Sequence, residues 1–263
     1  MRGNPLIAEI GSGLGRGGQA QLDYLKLMLL QAVVLVLWWP KSDVAQMLDS
    51  EHTPRTLAAI VMALGLTIAY HAVRAGAEES LLPGQRGLRA WAHEAALPPA
   101  RILSGYIVGQ LLHSAYLLLL SAPLVLVAFA VSGAEWAALA WCVCAIAVQA
   151  VFYRLSGAII HLALGPHVLA KRSAARALLL FIYIPIGFIA PLTSHLAVSY
   201  RALAEDAVVR AGIAAMPDAA IFVAIYAAAG SLAALVLYRL LLRERDGTNG
   251  ALDTAGVDKA VSG

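Results

Sequence analysis

"ILSGYIVGQLLHSAYLLLLSAPLVLVAFAV", residues 102–131, contains no Asp, Glu, Lys or Arg. Crossing a hydrocarbon core takes about 20 helical residues at about 1.5 Å each, so this run is long enough to span one. It lacks the alternation of a barrel strand, and its backbone must therefore satisfy its own hydrogen bonds as a helix. Further Ala/Leu/Val-rich runs lie near Leu22 to Trp39, Thr56 to Ala75, Trp136 to Leu164, Ala177 to Val198 and Ala219 to Leu242. The expected fold is all-α, a polytopic membrane protein with six transmembrane helices.

Composition agrees. The 263 residues are 60% hydrophobic and 13% charged, against about 25% charged in soluble domains. The connections between runs are too short to hold a soluble domain, so a single transmembrane domain is expected over 1–245. The first apolar run begins after some twenty polar and Gly-rich residues, which is not the pattern of a cleavable signal peptide. Residues 246–263, "DGTNGALDTAGVDKAVSG" from Asp246, lack periodicity and are expected to form a disordered cytoplasmic tail.

If the helices alternate in direction, Lys41, Arg55, Arg201 and Arg210 fall on one side and the other fifteen of the 19 Lys and Arg on the opposite one. The positive-inside rule then puts both termini in the cytoplasm. The net charge of +3 reflects that topology and not nucleic-acid binding. Cys142 and Cys144 stand two apart on the fourth run, on different faces of a helix, and are expected to be packing residues.

Catalytic chemistry is not expected. Gly11, Gly13, Gly15, Gly17 and Gly18 crowd together, but no strand precedes them and no Lys-Ser/Thr ending follows, so the chain has no ATP site of its own. His93-Glu94 resembles half of a zinc-protease motif, yet Leu97 stands where the second His belongs. Ser156 near His161 lacks the flanking glycines of a buried nucleophile. No Asp lies inside a run to hold magnesium, and no metal site is expected.

The polar residues inside the runs are Gln31, His71, His113, Gln149, Arg154 and His161. His71 and Arg154 stand near enough to span ends to snorkel. Gln31, His113 and Gln149 are candidates for a translocation path, together with Pro185 and Pro191, which interrupt "FIYIPIGFIAPLTSH". Proline frees backbone carbonyls, and in a membrane these are tolerated where neighbours or a cavity satisfy them; a kink that serves packing alone explains the prolines equally well. Gly105 and Gly109 have the spacing that lets two helices approach closely. The connection at 199–217 fits either an amphipathic helix on the outer surface, with Leu203, Ala207 and Val208 inward and Arg201, Glu205 and Asp206 outward, or a solvated surface helix.

Residues 76–101 form the longest connection on the basic side. Leu88, Trp91, Ala92 and Ala95 recur at helical spacing, with Arg89, His93 and Glu94 opposite. Pro98 and Pro99 end that helix and Arg101 anchors the next span. At the other end of the chain, Asn4-Pro5 opens a short helix suited to the membrane interface, with Leu6, Ile7, Ile10 and Leu14 on one face.

Six spans, an interfacial helix beginning Asn-Pro-Leu, acidic residues after the second span and "LPPARILSGYIVGQLL" leading into the third resemble the permease subunits of type-2 ABC transporters. Leu97, Pro98, Arg101, Ile102, Leu103 and Gly105 match the family's entry into the third span, with Tyr106 where Lys is usual. The inserted "SLLPGQRGLRAW" after Glu78-Glu79 departs from the family pattern. The resemblance implies an exporter subunit in the plasma membrane of a prokaryote, the inner membrane of a Gram-negative cell. It implies an ABC ATPase subunit as partner, which carries the ATP and Mg, and a second permease copy or a homologous permease, all within membrane lipid. The helix near Gly87 to Leu97 would be the coupling helix, with Leu88, Arg89, Trp91, His93, Glu94, Leu97 and Arg101 meeting the ATPase. An ATPase-independent carrier or channel is the second reading, and an integral membrane enzyme the third.

Overall fold

The computed structural model describes residues 25–33, 54–78, 97–132, 134–164, 167–205 and 215–261. Among these residues the chain is helical and contains no strand. We label helical residues 25–33 as α1, Pro54–Ala77 as α2, Pro99–Ser132 as α3, Trp136–Leu164 as α4, Val168–Phe181 as α5, His195–Tyr200 as α6 and Ala215–Val261 as α7.

Four helices are long and apolar enough to cross a membrane: Thr56–Ala77 in α2, Pro99–Ala130 in α3, Trp136–Leu164 in α4 and Asp218–Glu244 in α7. These match four of the six expected spans and are consistent with a membrane protein. The expected first span is described only over 25–33, where it is helical. The N-terminal helix, and the connection from 79 to 96 with Leu88, Arg89, Trp91, His93 and Glu94, lie outside the described residues.

The expected fifth span is not one helix. α5 ends at Phe181 and passes into a π turn over Ile182–Ile186 that contains Pro185. A single turn, Gly187–Ile189, follows; Ala190 then leaves helical geometry at φ −129°, ψ 79°, and Pro191–Thr193 form a 3-10 turn before α6. The prolines explain the break. Pro185 has no N–H to donate and its ring crowds the carbonyl four residues back, which the wider π turn relieves. Pro191 drives the residue before it out of the α region. A further π turn, Arg201–Glu205, closes the segment.

Packing follows from where the apolar surface continues all round a helix. α2 is buried over 67% of its apolar window, against 22% to 39% for the other three, so it is the helix the others surround. Its Leu57, Ile60, Leu64 and Ile68 join Leu27 of α1, Leu117 of α3, Ile146 of α4 and Leu179 of α5 in one core. A second core joins Tyr106 of α3, Leu155 of α4 and Leu237 of α7. A third joins Ala145 of α4, Val198 of α6 and Phe222 of α7. α4 thus contributes to all three. Outward, Leu119, Leu169 and Ile189 leave 74%, 79% and 85% of their surface uncovered, as expected of side chains that meet lipid.

Close approach of α2 and α4 comes from two isolated glycines. A Cβ on Gly76 would collide with the Arg154 carbonyl, and one on Gly157 with the Val73 carbonyl. Gly105 and Gly109 are both buried on α3. α3 begins with Pro99 as its first residue, where the missing N–H has no helical partner to lose, and the Arg101 amide donates to Pro98 O at 2.9 Å.

One further expectation changes, and one holds in part. α7 stays helical through Val261, into the stretch expected to be an unstructured tail; a helix already nucleated by a long apolar segment extends at the small cost of each residue's own propensity. In the 199–217 connection, Leu203 is fully buried and Arg201 is exposed, as the amphipathic pattern requires, while 206–214 lie outside the described residues.

Candidate functional site

The break between α5 and α6 frees polar backbone and side-chain groups inside the bundle, and neighbouring helices take them up. Thr193 O, which would otherwise accept a bond from within a continuous helix, accepts one from Tyr226 Oη of α7 at 2.7 Å. Ala190 O accepts from Thr193 Oγ1 at 2.7 Å and from the Thr193 amide at 2.9 Å. This is how an interrupted helix survives where no lipid can hydrogen-bond to it.

The same break turns His195 and Tyr183 toward each other and toward Gln149 of α4. His195 Nε2 lies 3.1 Å from Met62 O in α2. A carbonyl only accepts, so Nε2 carries the hydrogen, and in the neutral ring Nδ1 is left as the acceptor. Tyr183 Oη, 2.6 Å from Nδ1, donates to it. The phenol then has a lone pair for Gln149, whose Oε1 is 3.3 Å away and whose Nε2 has no partner. Turning the amide over lets Nε2 donate to Tyr183 and leaves the carbonyl oxygen, instead of the NH2 group, as the atom without a partner. The resulting line runs Gln149, Tyr183, His195, Met62 O across α4, the π turn, α6 and α2.

Gly65 makes that line possible. A Cβ there would run into His195 Nε2 and lie 3.1 Å from Ile146 Cγ1, so the imidazole reaches the α2 carbonyl only because the side chain is missing. Tyr153 of α4 stacks on Tyr183 with ring centroids 6.3 Å apart, and Tyr226 packs against Phe152 and Phe222 at 5.4 and 4.5 Å. Three tyrosines therefore surround the break.

A second polar group sits between α2, α3 and α4. His71 and His113 meet edge to face with centroids 6.1 Å apart, and Arg154 Cζ lies 5.3 Å over the Tyr106 ring. Gln110 donates to Ser114 at 3.1 Å on the same side of α3. Arg154 is 2% exposed and His71 8%. This corrects the expectation that both snorkel: each points into the helix packing, so a long stem has no route along the surface to a span end.

Gln31 stands apart from both groups, donating to Ser121 Oγ at 2.8 Å between α1 and α3. Of the five path candidates, Gln149, Pro185 and Pro191 are thus brought to one place, His113 belongs to the second group, and Gln31 to neither. His161, the remaining polar candidate, lies at the end of α4, with Nδ1 2.9 Å from Ala77 O and 3.1 Å from Lys171 Nζ. Of the expected coupling residues, Leu97 and Arg101 alone are described; Leu97 packs beside the second core and Arg101 is exposed at the start of α3.

The sequence reading missed Tyr183, His195 and Tyr226. His195 was signalled by its place four residues after Pro191, where a broken helix redirects side chains inward. Among the described residues no three His, Cys, Asp or Glu side chains form a metal-binding group, and Cys142 is buried while Cys144 is exposed, each a free thiol. No family model, curated protein or solved structure matches the chain.

Proposed function

We propose that this chain is the transmembrane subunit of a transporter of the type-2 ABC permease kind, moving its substrate by ATP hydrolysis in a separate ABC ATPase subunit. One observation carries the transport reading. The helix broken at 182–194 has Tyr183, Gln149 and His195 hydrogen-bonded beside the break, inside the helix bundle. Discontinuous helices of this kind are how transporters set polar groups in the path of a substrate and how one half of a bundle rocks against the other. The ATPase partner rests on the resemblance. In this reading the four long apolar helices, the run that contains α1 and the broken segment are the six crossings of that family. In this reading both termini and the connection from 79 to 96 face the cytoplasm of a prokaryote, and two permease copies flank the substrate. Arg89, Trp91 and Glu94 meet the ATPase, and export is the direction.

A second reading, an ATPase-independent carrier, is favoured by the buried His71, His113 and Arg154, because ionisable groups inside a span are costly and kept for function. Co-purification of the tagged chain from its native membrane separates the two. An ABC ATPase recovered in stoichiometric amount, and lost when Arg89, Trp91 and Glu94 are replaced by Ala, is the expected result. Purification under gentle detergent without an ATPase, with transport retained in membranes stripped of ATPase, would replace the permease by the carrier.

A further inference from the structure

Away from the broken helix, the charged end of α2 and the first turns of α5 enclose a cavity of about 160 Å³. Its described lining includes Tyr70, Arg74 and Glu78 on one wall and Arg172 and Arg176 on the other. Three guanidinium groups face one carboxylate. Glu78 Oε1 accepts from Arg74 Nε at 3.1 Å and forms an ion pair with Arg172 Nε at 3.2 Å, so a single oxygen bridges the walls and pairs with two of the three cations. Guanidinium forks match the oxygens of a phosphate better than any other side chain. At about 30 Å³ per water in the liquid, the space holds several water molecules or one phosphate group.

What runs away from the cavity decides between a dissolved anion and a lipid. Arg172, Arg176 and Leu180 follow one another at four-residue spacing on α5 and share a stripe, and beyond Leu180 comes Ile184 of the π turn. Leu180 and Ile184 are 56% and 63% exposed, and Phe181 beside them 57%. The basic cavity therefore continues into an uncovered apolar track that leads from the charged end of the bundle toward the level of Tyr183. Headgroup and acyl chain need that order of surfaces; a soluble ion has no use for the second.

We propose that this cavity seats the phosphate of an anionic phospholipid, whose acyl chain lies along Leu180 and Ile184. The proposal needs α2 and α5 to sit in a bilayer and is independent of whether the chain transports anything.

The test is native mass spectrometry of the full-length chain in neutral detergent, titrated with phosphatidylglycerol or with phosphatidylcholine of the same chain length. The wild type is expected to retain one phosphatidylglycerol in preference to phosphatidylcholine. Arg176→Gln weakens that retention about fivefold, as removing one cation beside an anionic headgroup should, Arg176→Lys keeps most of it, and Arg243→Gln on α7 leaves it unchanged. Because Arg176 is exposed, its variants are expected to elute as monodisperse protein, and the Gln-against-Lys comparison stands even where Arg172→Gln impairs folding. Equal retention of the two lipids, or an Arg176→Gln protein that holds phosphatidylglycerol as the wild type does, overturns the proposal. So does inorganic phosphate at the lipid's own concentration displacing it, which would make the cavity a site for a free anion.

Discussion

Gly76 of α2 and Gly157 of α4 meet backbone to backbone: a Cβ on Gly76 would lie 2.9 Å from Gly157 Cα and 2.8 Å from Ala158 N. No flexible side chain is available to yield there, so any substituent must push the helices apart. Gly157→Ala is expected to destabilise the protein by about 1–3 kcal/mol, the usual range for overpacking, and Gly157→Leu to prevent recovery of a monodisperse protein. Thermal unfolding in detergent checks the first and size-exclusion chromatography the second. Because Arg154 belongs to the same stretch of α4, the shift also displaces it from the Tyr106 ring.

The line from Gln149 through Tyr183 to His195 predicts energetic coupling. Tyr183→Phe leaves His195 Nδ1 without its donor in a site closed to water, at about 1–3 kcal/mol. Once His195→Leu has removed the acceptor, Tyr183→Phe should cost much less, with a coupling energy of about 0.5–3 kcal/mol in the double-mutant cycle. Additive losses would mean that the 2.6 Å contact contributes nothing. Gly65→Ala should act like His195→Leu, since its methyl group takes the space of Nε2.

Tyr226→Phe removes the donor to Thr193 O, and the expected loss is again about 1–3 kcal/mol. Here the consequence is local, because that carbonyl is free only where the helix is broken. Hydrogen exchange should therefore quicken at the amides around Ser194 while those of α2 keep their protection. Uniform quickening would show that the bond supports the whole bundle.

Spans were legible where burial depends on composition alone. Trp136–Leu164 is bounded as the apolar run is, while α3 starts at Pro99, three residues before the expected run, where a proline fits the first helical position. What escaped was whatever depends on a distant partner. The acceptor of His195 is the Met62 carbonyl, 133 positions away, and a main-chain oxygen leaves no trace in the sequence. Gly65, Gly76 and Gly157 are single glycines, each opposed by a different element, so no spacing rule marks them, whereas Gly105 and Gly109 have the spacing. Pro185 and Pro191 announced a kink, but not its growth into a π turn and a 3-10 turn, where Tyr226, 33 positions away, takes up the Thr193 carbonyl. Distance along the span suggested that Arg154 could reach an end; which way its stem faces is settled by the packing of α2 and α3 against α4.

The broken segment makes one prediction about topology. Near its start Arg172 forms an ion pair with Glu78, just past the C-terminus of α2, and near its end Arg201 Nη1 lies 3.1 Å from Asp218 Oδ2 in the first turns of α7. α2 and α7 are each long enough to cross a bilayer, and if six spans alternate in direction, Arg172 and Arg201 fall on opposite sides. In a background with Cys142 and Cys144 replaced by Ser, Arg201→Cys should react with a membrane-impermeant maleimide added outside intact cells. Arg172→Cys should react only after the membrane is opened. That pair of results would make 168–205 a full crossing, with its break between the two faces. Labelling of both cysteines from one side would make the segment re-entrant, leave the chain with an odd number of crossings if α1 spans, and place its two termini on opposite faces of the membrane.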